Sequence, residues 1–242
     1  MIQNNYPNDK TSRYLYRAGG FTAILFLIYS IVTILIFILI KEGYPQTALE
    51  CYDMLKEDFF IGLLRLDIVS AVIIPFYYLL FFSLYHALKK DYELIAKIAL
   101  FCILAGITIF ISGLNIIELI NLSNKYHAAA SVEIKQQLVA AGEAILASDM
   151  WASTAAKFRG ILIESGAVIL SYIMLKTTVF SKINAWVGLV AHGFDLSSEV
   201  LSIFIPAIKD IFTTVAGPLY MVWFVMIALR LIKISYDNKK KQ

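Results

Sequence analysis

Charge is scarce in this chain. Of its 242 residues, Asp, Glu, Lys and Arg make up 16%, against about 25% in a soluble domain. That excludes an ordinary soluble enzyme and a disordered chain. Cysteine is nearly absent. Cys51 and Cys102 are the only two, so a disulfide scaffold is excluded, and no C-x-x-C metal spacing occurs. Histidine is equally rare, with His86, His127 and His192 making up the set. A histidine-rich zinc site is therefore not expected, although the His192-x-x-Asp195-x-x-x-Glu199 spacing leaves a carboxylate-dominated metal site open. The sequence has no H-E-x-x-H, no Ser/His/Asp set and no glycine-rich phosphate loop. Ser83-x-x-His86 faintly resembles an intramembrane hydrolase pattern whose other parts are missing. The net charge of +3 and pI near 8.7 are too mild for a nucleic-acid partner.

Apolar residues are what the chain has in excess. They make up 60% of it, with a mean hydropathy of +0.73, more than one compact domain of this size can hide. Six stretches reach the roughly 20 residues that a helix needs to cross a bilayer. They run over 19–40, 59–88, 94–121, 152–175, 184–205 and 212–234. The first is too long for the core of a cleaved signal, and no A-x-A-like site follows it. A lipid-exposed backbone must satisfy its own hydrogen bonds, so each stretch reads as a helix. The expected fold is all-α: one polytopic membrane domain over 1–242, a six-transmembrane-helix bundle.

Basic residues set the expected orientation. Lys10, Arg13, Arg17, Lys89, Lys90, Lys97, Lys176, Lys182, Arg230, Lys233 and the tail run Lys239-Lys240-Lys241 fall on one side. Lys41, Lys56, Lys125, Lys135 and Lys209 fall on the other. Both termini, including the basic tail 235–242, are thus expected in the cytoplasm, with the lipid of the cell inner membrane around the spans. Cys51 then lies in an outer loop and Cys102 toward the inner side, too far apart to bridge. The outer segment 122–150 carries Ile134, Leu138, Ala141 and Ile145 on one helical face, which predicts a short amphipathic helix between spans three and four. Lys41 to Asp58 reads as a polar outer loop. Pro75 and Pro218 are expected to bend their helices, Ala167 and Ser171 to permit close helix approach. Tyr6, Tyr14, Tyr16, Tyr44, Tyr52, Tyr92, Tyr126 and Trp151 fall near predicted interfaces, as an aromatic belt does.

Two segments carry a family resemblance. The first is Leu122-Ser123-x-x-Tyr126-x-Ala128-Ala129, followed by Ala140-Ala141-Gly142-Glu143-Ala144. The second is Met174-Leu175-Lys176-x-x-Val179-Phe180-Ser181-Lys182, with Ala185-Trp186-x-Gly188 after it. The chain resembles the bacterial integral-membrane proteins grouped as domain of unknown function 4386. The resemblance implies a six-pass bacterial membrane protein and carries no activity, cofactor or catalytic residue across.

Ionisable residues inside the spans are the informative anomaly. Each costs about 2.5–3.5 kcal/mol near the bilayer centre and therefore faces a bundle interior or a wet cavity. Arg65, Asp67, Glu118, Arg159, Glu164, His192, Asp195 and Glu199 are the candidate pocket, with Lys157 beside it. The inner halves of the spans hold almost no charge, so the pocket is expected to open outward above an apolar floor. Acids outnumber bases in the set. At least one of Glu164 and Asp195 is therefore expected to be protonated, or to hold a cation. The reading that follows is a small-solute or ion-binding transporter or sensor. One alternative is an accessory protein whose buried charges only hold helices together, with Arg159 paired to Glu164 or Glu199 and Arg65 to Asp67 or Glu118. The other is an intramembrane enzyme. No cofactor is indicated.

Overall fold

The fold is that of a computed structural model, which describes Pro7 and residues 9–148 and 153–237, apart from the side chains of Asp210 and Asp237. Tyr6, Trp151 and Lys239-Lys240-Lys241 lie outside the described residues. All the regular structure described is helical. The helices are α1 Lys10–Ile40, α2 Ala48–Glu57, α3 Phe59–Arg65, α4 Ile68–Ile73, α5 Tyr77–Ser112, α6 Ile116–Ala128, α7 Val132–Ala147, α8 Thr154–Lys176, α9 Lys182–Leu201 and α10 Ile208–Asp237, with a 3-10 turn over Ile74–Phe76. Among the described residues four helical stretches are long and apolar enough to cross a membrane: Lys10–Ile40, Ile68–Ala128, Thr154–Lys176 and Ile211–Tyr236.

Two expected spans are not continuous. The stretch 59–88 breaks at Asp67, which adopts the left-handed conformation with φ 61° and caps α4. Asp tolerates that conformation better than most residues. The same stretch tightens again at the 3-10 turn holding Pro75, where a helix interior would lose a hydrogen bond. The stretch 94–121 breaks between α5 and α6 at residues 113–115. Within α5, Tyr92 has non-helical angles (φ −136°, ψ 39°), at the centre of the Lys89–Glu93 segment expected to join two spans. Pro218, by contrast, sits inside α10 without interrupting it.

The chain forms two compact units. Unit one comprises Met1–Ser30, Pro75–Thr108 and Phe158–Gln242. It contains the first two-thirds of α1, most of α5, and α8, α9 and α10. Its start is fixed by Asp9, which accepts from the Ser12 amide at 3.0 Å and the Ser12 hydroxyl at 2.6 Å. The Ser12 hydroxyl, and then its amide, hold the Asp9 carboxyl down at about 2. Fully buried Tyr16, Phe26, Phe81, Ile103 and Trp223 form its core, with Phe26 stacked on Tyr77 at 3.7 Å between ring centroids. Tyr16 donates to the Pro7 carbonyl at 3.1 Å. The two serine-histidine partners go separate ways: Ser83 donates to the Leu15 and Leu79 carbonyls, while His86 meets the Ser12 hydroxyl.

Unit two comprises Ile31–Ile74 and Ile109–Lys157. Its core gathers Ala48, Cys51, Tyr52, Leu55, Leu66, Ile116, Leu119 and Leu146 from α2, α6 and α7 and the link after α3. The segment expected as a loop before Asp58 is thus mostly helix. Its start was written in Thr47-x-x-Glu50, the spacing of a capping box, and Thr47 Oγ1 accepts from the Glu50 amide at 3.2 Å. The amphipathic helix is α7, but its buried face is turned from the expected one. Gly142 and Leu146 are buried, while Ile134 and Ala141 are exposed. Gly142 decides this, since a side chain there would strike the Tyr52 hydroxyl and come within 2.7 Å of the Ala48 side chain. A count of apolar residues alone passes over a glycine in a contact face.

Candidate functional site

The charged residues of unit one meet where α8, α9 and α10 pack together. α9 starts at Ser181, whose hydroxyl caps it by accepting from the Asn184 amide at 3.1 Å. From there Asn184, Gly188, His192, Asp195 and Glu199 follow at spacings of four, four, three and four. That period keeps them on one helix face. Asn184, Gly188 and His192 are buried.

His192 Nδ1 lies 2.7 Å from Glu164 Oε2. Tyr220 of α10 donates to the same Glu164 oxygen at 2.8 Å and also lies 3.1 Å from Asp195 Oδ2. Four residues from three helices thus form one chain: His192, Glu164, Tyr220, Asp195. A phenol carries one proton. For both Tyr220 contacts to be full hydrogen bonds, one of the two carboxyl groups must carry a proton of its own.

Arg159 and Glu199 complete the group. Arg159 lies within electrostatic reach of Glu199, Asp195 and Glu164. Gly160 lets Glu199 come close to α8, because a Cβ there would stand 2.6 Å from both the Glu199 carboxyl carbon and its Cγ. Burial is graded along the chain of groups. Glu164 and His192 are buried at 9% and 3% exposure, while Tyr220, Asp195, Glu199 and Arg159 are half-buried.

The other three expected pocket residues belong to unit two. Arg65 donates to the Gly43 carbonyl at 2.9 Å and pairs with Glu42 at 2.8 Å and Glu50 at 2.5 Å. Neither expected partner, Asp67 or Glu118, takes that place. Asp67 caps α4 by accepting from the Ser70 amide, and Glu118 is exposed in the first turn of α6. Among the described residues no three His, Cys, Asp or Glu side chains are arranged to hold a metal ion.

Tyr220 is the residue that sequence reasoning missed. Its signal was a hydroxyl on a ring deep inside an apolar span, away from the interfacial belt where tyrosine is common. Trp223, close by on α10, is 1% exposed. It stands edge-to-face against His192 at 4.8 Å.

No match was found among curated proteins or among solved structures. The family model described as a domain of unknown function, DUF4386, matches residues 16–233, and the chain therefore belongs to that family.

Proposed function

We propose that this protein binds protons or a small cationic solute at the His192–Glu164–Tyr220–Asp195 chain, as a membrane transporter or sensor. One observation carries the reading: a single phenolic proton stands between two carboxyl groups. A site that is one proton short takes up or releases that proton as its surroundings change, or exchanges it for a cation. Arg159 and Glu199 stand at its half-buried end and would set the charge of an arriving solute. Arg65 and Asp67 are left to hold unit two together, and neither they nor the exposed Glu118 has a part in the pocket.

The proposal includes six membrane crossings. Tyr92 divides the 61-residue apolar stretch Ile68–Ala128 into two crossing segments. The 20-residue α9 adds another, its hydropathy lowered by the very residues that form the site. α7 then lies on the outer side, between the third and fourth crossings. The positive-inside bias places both termini in the cytoplasm of a bacterial inner membrane, and 1–242 acts as one membrane domain.

A structural role is the competing reading, favoured by the near-complete burial of Glu164 and His192, since polar pairs between membrane helices contribute about 0.6–2 kcal/mol each. Infrared titration of the full chain in lipid nanodiscs separates the two. The site reading expects a carboxylic-acid C=O band in the wild type that responds to pH or to added monovalent and divalent cations, and that is lost in Glu164→Gln or Asp195→Asn. A wild type with both carboxylates ionised and no response to pH or cations overturns it and leaves the structural role.

A further inference from the structure

We propose that one water molecule is held beside Gly188 by Ser171, Trp223 and His192, and that it relays protons to the Glu164 chain from the α8–α9 connection. The relay rests on the proton-binding reading above; the water site does not.

The layer in question lies two helical turns along α8 from Glu164 and one turn along α9 from His192, on the side of Lys176 and Lys182. Three polar atoms in it have no hydrogen-bond partner among the described residues: Ser171 Oγ, Trp223 Nε1 and His192 Nε2. Their residues are 0%, 1% and 3% exposed. Buried polar atoms are nearly always hydrogen-bonded, and one left without a partner is costly. Gly188 shows how closely these atoms gather. A Cβ on it would stand 2.5 Å from Ser171 Oγ and 2.6 Å from Trp223 Nε1, so both atoms flank one backbone position. His192 follows Gly188 by one turn of α9, and its ring stands against the Trp223 ring.

Donor chemistry identifies the ligand. Indole Nε1–H can only donate. With Nδ1–H given to Glu164, His192 Nε2 is an acceptor. Ser171 can do either. The ligand must accept from Trp223, donate to His192 and exchange with Ser171. A cation cannot accept from an indole. An anion offers His192 nothing and meets the charge of Glu164 and Asp195. A hydroxylic molecule of water size satisfies all three, as buried waters with about three partners do.

The relay balances. A water O–H proton passes to His192 Nε2 as the Nδ1 proton passes to Glu164 Oε2. The ring ends neutral in its other tautomer, and the resulting hydroxide is neutralised by a proton arriving from the Asn184 end. Glu164 is then a neutral acid facing Tyr220. What looked from the sequence like an apolar floor beneath the pocket has a polar passage through it, built of neutral groups that charge counting does not register.

The test uses the full chain, labelled with ¹⁵N at its tryptophan indoles, in lipid nanodiscs, with water itself as the probe. Trp223→Phe assigns the Trp223 indole signal. The expected result is a magnetisation-transfer peak between that indole N–H and a bound water, weakened in Ser171→Ala. In a pH jump, the carboxylic-acid band should keep its amplitude in Ser171→Ala and Trp223→Phe. Its rate should fall by about a hundredfold, the lower end of what a positioned proton-transfer group contributes. No water peak at Trp223 overturns the site, and rates equal to wild type in both variants overturn the relay. A wild type whose band ignores pH overturns the proton-binding reading and the relay with it, while the Trp223 peak still decides the water site.

Discussion

Glu164 and His192, 28 residues apart in sequence, share a contact of 2.7 Å between Oε2 and Nδ1. Tyr220 donates to the same oxygen, so Glu164 is the centre of the chain and Asp195 its end. Removing the Glu164 carboxylate and removing the Tyr220 hydroxyl should therefore differ in their effect. Glu164→Gln loosens both the imidazole and the phenol, whereas Tyr220→Phe removes one hydroxyl and leaves the ring packed on Phe224. Each lost bond to a charged or buried partner is worth about 1–3 kcal/mol. Thermal unfolding in one detergent should rank the variants as wild type, Tyr220→Phe, Glu164→Gln in falling stability. A Glu164→Gln protein as stable as wild type would mean that the chain is not closed.

Gly160 allows a separate test of Glu199. An alanine methyl there would stand 2.6 Å from the Glu199 carboxyl carbon, but a glutamate side chain can swing away. Alanine also favours the helix by about 1 kcal/mol over glycine. Gly160→Ala should therefore unfold within about 1 kcal/mol of wild type while moving the Glu199 carboxylate away from Arg159. The cation and pH response of the infrared band should change as it does in Glu199→Gln. A folded Gly160→Ala protein with an unaltered response would remove Glu199 from the site.

The membrane class and most helices were legible in the sequence because long apolar runs are a one-dimensional signal. The Glu164, His192 and Asp195 grouping was legible for a related reason: an ionisable residue within such a run has few places to go. What the sequence left out is relational. The breaks at Asp67 and at residues 113–115 turn on backbone geometry that a hydropathy window averages away. Their consequence is that Arg65 sits among Glu42 and Glu50 instead of beside Glu118. The Tyr220 hydroxyl and the Trp223 indole N–H were passed over because an aromatic ring counts as apolar, whatever its polar atom does. Gly142 and Gly188 carry no side chain to count, yet each sets which face of its helix is covered.

Cys51 is fully buried in unit two. Burial pushes its thiol up to about 12, Glu50 adds to the rise, and Arg65 opposes it. The reactive thiolate is therefore almost absent at neutral pH. Cys102 is half-buried and also free. In a Cys102→Ser background, maleimide should leave Cys51 unlabelled in the folded protein and label it once the protein is unfolded in denaturant. Rapid labelling under native conditions would show that the α2–α6–α7 cluster opens.

The Arg65 ion pairs give an acid-stability prediction with a definite sign. The Arg65 side chain is 7% exposed, whereas Glu50 is 39% and Glu42 69% exposed. Burial raises the Glu50 carboxyl, but the Gln46 amide and the Arg65 guanidinium outweigh it, leaving the group below its ordinary value of 4.5. A carboxyl lowered on folding stabilises the protein fully above its unfolded value and loses that contribution as pH falls through the folded one. Unit two should therefore be indifferent to this group from neutral pH down to about 4.5, and should weaken below that. Glu50→Gln should remove this part of the acid transition, and its cost at neutral pH should exceed that of Glu42→Gln. The reason is solvent: an ion pair with a largely exposed partner contributes about 0–1 kcal/mol, while Glu50 is the better shielded of the two partners of a buried guanidinium. The measurement is thermal unfolding between pH 7 and 3 for the wild type and both variants, with α2 followed by the reactivity of Cys51. Equal losses in the two variants, or a Glu50→Gln protein that keeps the full acid transition, would show that Arg65 is held by the Gly43 carbonyl and by packing, with neither carboxylate decisive.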